Sequence, residues 1–240
     1  LRLALDCILG ARGRAAKQEL HAMKRVVIVC AGSQGVIVAD ILQRAREAGS
    51  DAVPIGFVDD TTPRGTLIVG LSVLSAISSL HEIEHDAVVV AIGDNATRRA
   101  LTERLIADGE RLHTAIHPFV SIAPSATIGA GSMISTGALV LPRALIGRGV
   151  LLNTKSSVDH DSVIGDFAHV SAGGTVGAHV TIGEETLIAL GASVTSDRSV
   201  GARTIIGGGA CVVRDIPDDV IAFGVPARVT SDRRSRDSNC

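Results

Sequence analysis

The apolar positions of this 240-residue chain change their period once. Up to about residue 113, continuous apolar runs alternate with stretches of helical spacing. Arg25-Val26-Val27-Ile28-Val29-Cys30 predicts a strand buried on both faces. Residues 34–48 place Val36, Ile37, Ala39, Ile41, Leu42 and Ala45 at helical spacing. A second strand is expected from Val53 to Val58, a short helix over 71–80, a third strand from Ala87 to Ile92 and a charged helix from about 96 to 109. Strands alternating with helices predict a short parallel Rossmann-like sheet, an α/β domain over 24–113.

After residue 115 the spacing becomes six. Ile116, Ile122, Ile128, Ile134, Val140, Ile146, Leu152 and Val158 begin a series that runs to Val212 without an insertion. Four residues after most of these stands a small one, such as Ser132, Ala138, Ala144, Ser156, Ser162 and Ala168, with Arg198 an exception. A small residue and the next aliphatic one are two apart, so both point to one side of a strand. The other residues of each six turn the chain. Three such faces close a triangular coil of 18 residues, and residues 114–228 predict a parallel β-helix of five to six coils.

Composition narrows the picture further. Hydrophobic residues make up 46% and aromatics 2%, so the core is packed from Val, Ile, Leu and Ala, with Gly at 26 positions for turns. A net charge of −2 gives no nucleic-acid footprint. Cys7, Cys30, Cys211 and Cys240 form no CxxC pair, which suits a reducing cytoplasm, and no apolar run reaches a membrane span. Residues 1–23 read as a leader, whether upstream read-through, a fragment end or an appended segment, because Met23 stands directly before Lys24-Arg25. Residues 229–240, with Arg233, Arg234 and Arg236, read as a disordered tail.

A β-helix is a prism, so chemistry must come from its outward groups. His160, at a corner beside Asp161, has the makings of a general base oriented by a carboxylate, or of a solvated corner histidine. His169 lies nine residues on, half a coil away, so the two face opposite sides of one prism and share a site only if two prisms pack together. His179 follows at another corner. The spacings of nine and ten argue against gathering these three histidines on one face, and no metal is expected. In the first domain, Cys30-Ala31-Gly32-Ser33-Gln34-Gly35 approximates a glycine-rich phosphate loop. Asp59, Asp60 and Gly93 end the next strands on the same carboxyl edge, where such sheets bind ligands.

The stretches VVIVCAGSQG, IGFVDD, AIGDN, LNTKSSVDHDSVIGDFAHVSAGGTVGAHVTIG, IIGGGACV and FGVPARV resemble, in order and spacing over residues 24–230, the family of sialic acid O-acetyltransferases and bacillosamine-type UDP-4-amino-sugar N-acetyltransferases. The resemblance implies a left-handed β-helix, acetyl-CoA as co-substrate and a homotrimer with sites between subunits. It places the base on His160 and its acidic neighbour on Asp161, where the family often has Glu. It places acetyl-CoA contacts on His169, Leu190 and Gly208, and a nucleotide-sugar site on Gly32, Ser33, Gln34, Asp59, Asp60 and Gly93. Cys30 stands for a usual Gly and Gln34 for a usual His. The function implied is acetyl transfer to a nucleotide-linked amino-deoxysugar, by direct attack without an acyl-enzyme. Alternatives are O-acetylation of a sialic-acid-like sugar and a non-catalytic nucleotide-sugar scaffold. Nicotinamide oxidoreduction lacks a second catalytic domain, and transfer to a free amino acid fits poorly with the nucleotide-type domain.

Overall fold

The computed structural model describes residues 23–233. The expected leader up to residue 22 and the end of the tail lie outside these residues. The first domain runs β1 (Lys24–Val29), α1 (Ser33–Glu47), β2 (Ala52–Val58), β3 (Leu67–Ile68), β4 (Leu71–Ser75), a 3₁₀ turn (Ile77–Glu82), β5 (Ala87–Val90) and α2 (Asn95–Ala107). The sheet order is β3-β4-β2-β1-β5, parallel except for the β3–β4 hairpin. Val26 to Val29 are fully buried, as their unbroken apolar run requires.

The helix expected over 71–80 is not formed. Leu71 and Val73 are two apart and Leu71 and Leu74 three apart, so the segment suits either period, and pairing with β2 decides for a strand. The rest of that segment is the 3₁₀ turn.

From Ala115 the chain coils in two-residue strands, each six residues after the last. They form three parallel faces. The first holds Ala115–Ile116, Met133–Ile134, Leu151–Leu152, His169–Val170, Leu187–Ile188 and Ile205–Ile206. The second starts at Ser121–Ile122 and ends at Cys211–Val212, and the third runs from Thr127–Ile128 to Ser199–Val200. The aliphatic and small registers fill the interior together. Every sixth residue from Gly131 to Gly209 turns the corner with positive φ, between 51° and 74°. After the coils, β6 (Val220–Phe223) joins the first face, and β7 (Arg228–Asp232) pairs antiparallel with it. Residues 229–232 are therefore strand and no part of a disordered tail.

The domains are fused along the first face. Its outward residues Ala115, Met133 and Leu151 are fully buried in one cluster with Val26, Ile28, Ile41 and Phe57 of the sheet and α1. Arg98 of α2 is 1% exposed. Its guanidinium donates to the carbonyls of Gly149 (2.9 Å) and Phe167 (2.7 Å) on the prism, and to Ile92, Gly93 and Asn95 on its own side. Arg99 adds ion pairs to Glu184 and Glu185, at 2.9 and 2.6 Å. The N-terminal domain is thereby fixed against one side of the prism.

Candidate active site

The prism has three edges, and their corner residues differ in kind. Between the first and second faces the corners are Gly137, Lys155, Gly173, Gly191 and Gly209. Between the second and third they are Arg143, Asp161, His179 and Asp197, none of them glycine. Each adopts the left-handed backbone that glycine adopts without steric penalty, at a cost of order 1–3 kcal/mol for a side-chain-bearing residue. This edge retains chemical side chains despite that cost.

His160 precedes one of these corners. Its Nδ1 lies 2.7 Å from Asp161 Oδ2, and its backbone N–H donates to Asp159 Oδ1 at 2.7 Å. Arg143, one coil earlier, donates two bonds of 2.6 Å to the Asp161 carboxylate. That bidentate pair, followed by the bond from His160, holds the Asp161 carboxyl well below the usual range. With Nδ1–H directed at Asp161, Nε2 keeps its lone pair, the form a general base requires. The His160 side chain is 44% exposed, so the edge is open to a substrate.

His179 meets His160 edge to face, with ring centroids 5.2 Å apart. The spacings of nine and ten keep His169 away from the other two, but they did not reveal that His160 and His179 meet. They are nineteen residues apart, one coil plus one residue, so they stack on one edge. Their donor atoms and that of Asp161 lie within 4.8 Å of one another. Both Asp161 oxygens are engaged by Arg143, which fits proton handling better than metal ligation. His169 does stand apart, on the first face and opposite that edge, in agreement with its half-coil offset. It lines a small recess with Gly93, Asp94, Asn95 and Leu187. Burial, with the nearby Arg98 charge, lowers its pKa to about 4, so it is neutral at pH 7.

Leu190 and Gly208 sit one coil apart at the glycine-lined edge. Leu190 is 66% exposed, and a side chain at Gly208 would meet only the Leu190 carbonyl, at 3.4 Å. The shoulder is bare, and neither residue shares the His169 recess.

In the first domain, a cleft of about 530 Å³ opens at the carboxyl edge of the sheet. Cys30, Asp59 and Asp60 line it, as do Thr97, Ala100, Leu101 and Arg104, which recur on one side of α2. Sequence reasoning missed the α2 residues, although their i, i+3, i+4, i+7 spacing was the available signal. Asp59 accepts the N–H groups of Ala31, Thr61 and Thr62, so its carboxylate closes the loop and is not free for a ribose. These bonds hold its pKa well below the usual range despite desolvation, while burial beside Asp59 and Asp60 pushes the Cys30 thiol up to about 11. Asp60 accepts from Ile77 N–H at 2.8 Å. Cys30 has φ of 77°, which accounts for the glycine usual there. A Cβ on Gly35 would collide with the Cys30 carbonyl, so the turn requires glycine. Gly32 caps α1 without a side-chain bond, next to Ser33. Gln34 points away, its Nε2 3.9 Å from Met133 Sδ of the prism. Gly93 borders the His169 recess and not this cleft.

Residues 25–105 match the family described as the PglD N-terminal domain. The whole fold is similar to the acetyltransferase domain of PglB from Neisseria gonorrhoeae FA1090, solved with acetyl coenzyme A. The TM-score is 0.81 at 33% identity, covering 87% of this chain and 100% of that one. The chain belongs to the bacillosamine-type sugar acetyltransferase family. Its coil is accordingly the left-handed parallel β-helix of the hexapeptide-repeat acetyltransferases. Another member, PerB from Caulobacter crescentus in complex with CoA and GDP-perosamine, has a TM-score of 0.79 at 32% identity, covering 88% of this chain and 99% of that one. The UDP-N-acetylbacillosamine N-acetyltransferase of Bacillus subtilis (strain 168) is 34% identical over 115 residues. That match takes in 47% of this chain and spans about half the length of this curated family member, 51%.

Proposed function

We propose that the protein transfers the acetyl group of acetyl-CoA to the amine of a nucleotide-linked amino-deoxysugar, with His160 as general base. The observation that carries the reading is the His160–Asp161 pair at an open edge of a prism, in a family whose members were solved with acetyl-CoA, or with CoA and GDP-perosamine. Asp161 holds the imidazole by Nδ1. Nε2 removes a proton from the sugar amine as its nitrogen attacks the thioester carbonyl. The tetrahedral adduct collapses, the C–S bond breaks, and CoA leaves as its thiol with a proton returned by the imidazolium. The amide product and free CoA balance the reaction.

The site requires two chains. The sugar-nucleotide cleft belongs to a domain fixed on the first face, and His160 stands on the opposite edge of the same prism. Exposed Leu139, Leu141, Leu145 and Val163 flank that edge and supply an apolar surface for a second copy. A cyclic trimer brings the cleft of one chain to the edge of the next. In the cleft, Arg104 pairs with the diphosphate, and the α1 N-terminus at Gly32 and Ser33, which follows the cleft residue Cys30 in the chain, adds backbone donors. Leu190 and Gly208 support the pantetheine. No helix among the described residues is long and apolar enough to cross a membrane, and free Cys30 and Cys211 fit a reducing cytoplasm.

Incubation with acetyl-CoA and a panel of UDP- and GDP-linked 4-amino-deoxysugars, read by mass spectrometry, tests this. An acetyl gain on one of them, lost in His160→Ala, is expected. Transfer to sialic acid alone moves the acceptor to a hydroxyl. Tight sugar-nucleotide binding without transfer to any acceptor overturns the enzymatic reading.

A further inference from the structure

The Arg143–Asp161 pair is out of proportion to any structural need at its position. Both residues occupy left-handed corners of successive coils, at φ 62° and 59°. The Arg143 side chain is 66% exposed and that of Asp161 23%, and an ion pair open to solvent on one side contributes little to stability. The coils already hold together at this edge through the backbone, where Asp161 N–H donates to the Pro142 carbonyl at 3.1 Å. Yet the fork is well formed, with Nε to Oδ1 and Nη2 to Oδ2 both at 2.6 Å. The oxygen that accepts from Nη2 is the one that faces His160 Nδ1 at 2.7 Å.

We propose that Arg143 is a positioning residue for acyl transfer, whose guanidinium fork locks the Asp161 carboxylate in the plane that orients His160. The inference rests on His160 being the base. Asp carboxylates rotate freely about their last bond, and one that rotates cannot fix the tautomer of its neighbour. Two parallel charge-assisted bonds remove that freedom, and only a planar guanidinium supplies both. Arg143 touches no reacting atom in this arrangement. Its effect runs through Asp161 alone.

The test is a double-mutant cycle on the assembled enzyme, read as kcat and KM separately in the acetyl-transfer assay. Arg143→Ala is expected to lower kcat about tenfold, the order that small losses of orientation produce, with both KM values within about twofold. Arg143→Lys, which keeps the charge and loses the fork, recovers part of that fall. In an Asp161→Asn background the same Arg143→Ala change costs less than about twofold, because its route is already cut. Wild-type kcat in Arg143→Ala overturns the proposal, as does a fall that adds in full to that of Asp161→Asn or one confined to KM. Light scattering and the thermal midpoint verify assembly, and Arg143→Gln enters the cycle if the alanine variant does not assemble. His160→Ala separates the two readings. If it keeps full activity, the base assignment fails and this inference with it. If it is inactive while Arg143→Ala is normal, only the role of Arg143 fails.

Discussion

His160 and His179 pack edge to face across a ring-centroid distance of 5.2 Å, although nineteen residues separate them in the chain. An aromatic edge contact of this kind contributes about 0.5–1.5 kcal/mol, which is about 2–13-fold in a rate that depends on the ring being held. His179→Ala is expected to lower kcat by that factor. His179→Phe is expected to restore most of it, since the contact needs a ring and no proton. A phenylalanine variant as impaired as alanine shows that His179 acts through its nitrogens instead.

Removing the proposed base is more severe. His160→Ala is expected to lose about 10²–10⁴-fold in kcat, the range general base catalysis supplies, with sugar-nucleotide affinity unchanged by calorimetry. A parallel loss of affinity places His160 in substrate binding.

The proposed sharing of sites between subunits makes a quantitative prediction about mixtures. His160→Ala keeps an intact cleft, and Arg104→Glu keeps an intact base. Co-assembled in equal amounts, half of the clefts are intact and half of their neighbours carry the base. Recovery is therefore about one quarter of wild-type activity per site, from two inactive parents. No recovery in verified mixed trimers means that each chain uses its own cleft and base.

The seam between the domains depends on Arg98. Its guanidinium satisfies the buried carbonyls of Gly149 and Phe167, the partly buried carbonyls of Ile92 and Gly93, and the Asn95 amide oxygen. Arg98→Met keeps the bulk and leaves those acceptors without donors. A loss of roughly 3–5 kcal/mol is expected in urea unfolding, at 1–3 kcal/mol for each acceptor that finds no water. Separate transitions for the two domains are the accompanying sign, and an unchanged midpoint refutes the role.

Acid stability follows from two histidines. Burial lowers both His113 and His169 to about 4, below the unfolded value near 6.5. Between those pH values the unfolded chain binds protons that the folded chain does not, so stability falls as pH drops from 6.5 toward 4 and is fully present above 6.5. His169→Gln is expected to flatten part of that fall in unfolding midpoints taken across the range. A slope equal to wild type means that His169 binds protons alike in the folded and unfolded states.

Much of this protein was determined by the sequence alone. An aliphatic residue at every sixth position admits one regular solution, a three-faced coil, because the interior accepts those residues only if each hexad is one face and one corner. The early strands were legible because Val26 to Val29 have no polar face to expose. The half-coil offset of His160 and His169 followed from the same count. Tertiary structure decided the rest. Leu71, Val73 and Leu74 suited two periods, and an open edge of β2 chose between them. Asp59 looked like a ligand residue, but the Ala31 N–H, 28 residues earlier, and the Thr61 and Thr62 N–H groups of its own loop took its carboxylate. The grouping of Arg143, Asp161, His160 and His179 depends on which residue of each hexad turns the corner. That choice is made by backbone φ and leaves no hydrophobic trace. Met133 and Leu151, large and apolar at outward positions, were the one sign in the chain that a domain covers the first face. That covering sets the cleft lined by Asp60 and Arg104 and the His160 edge on opposite sides of a single chain.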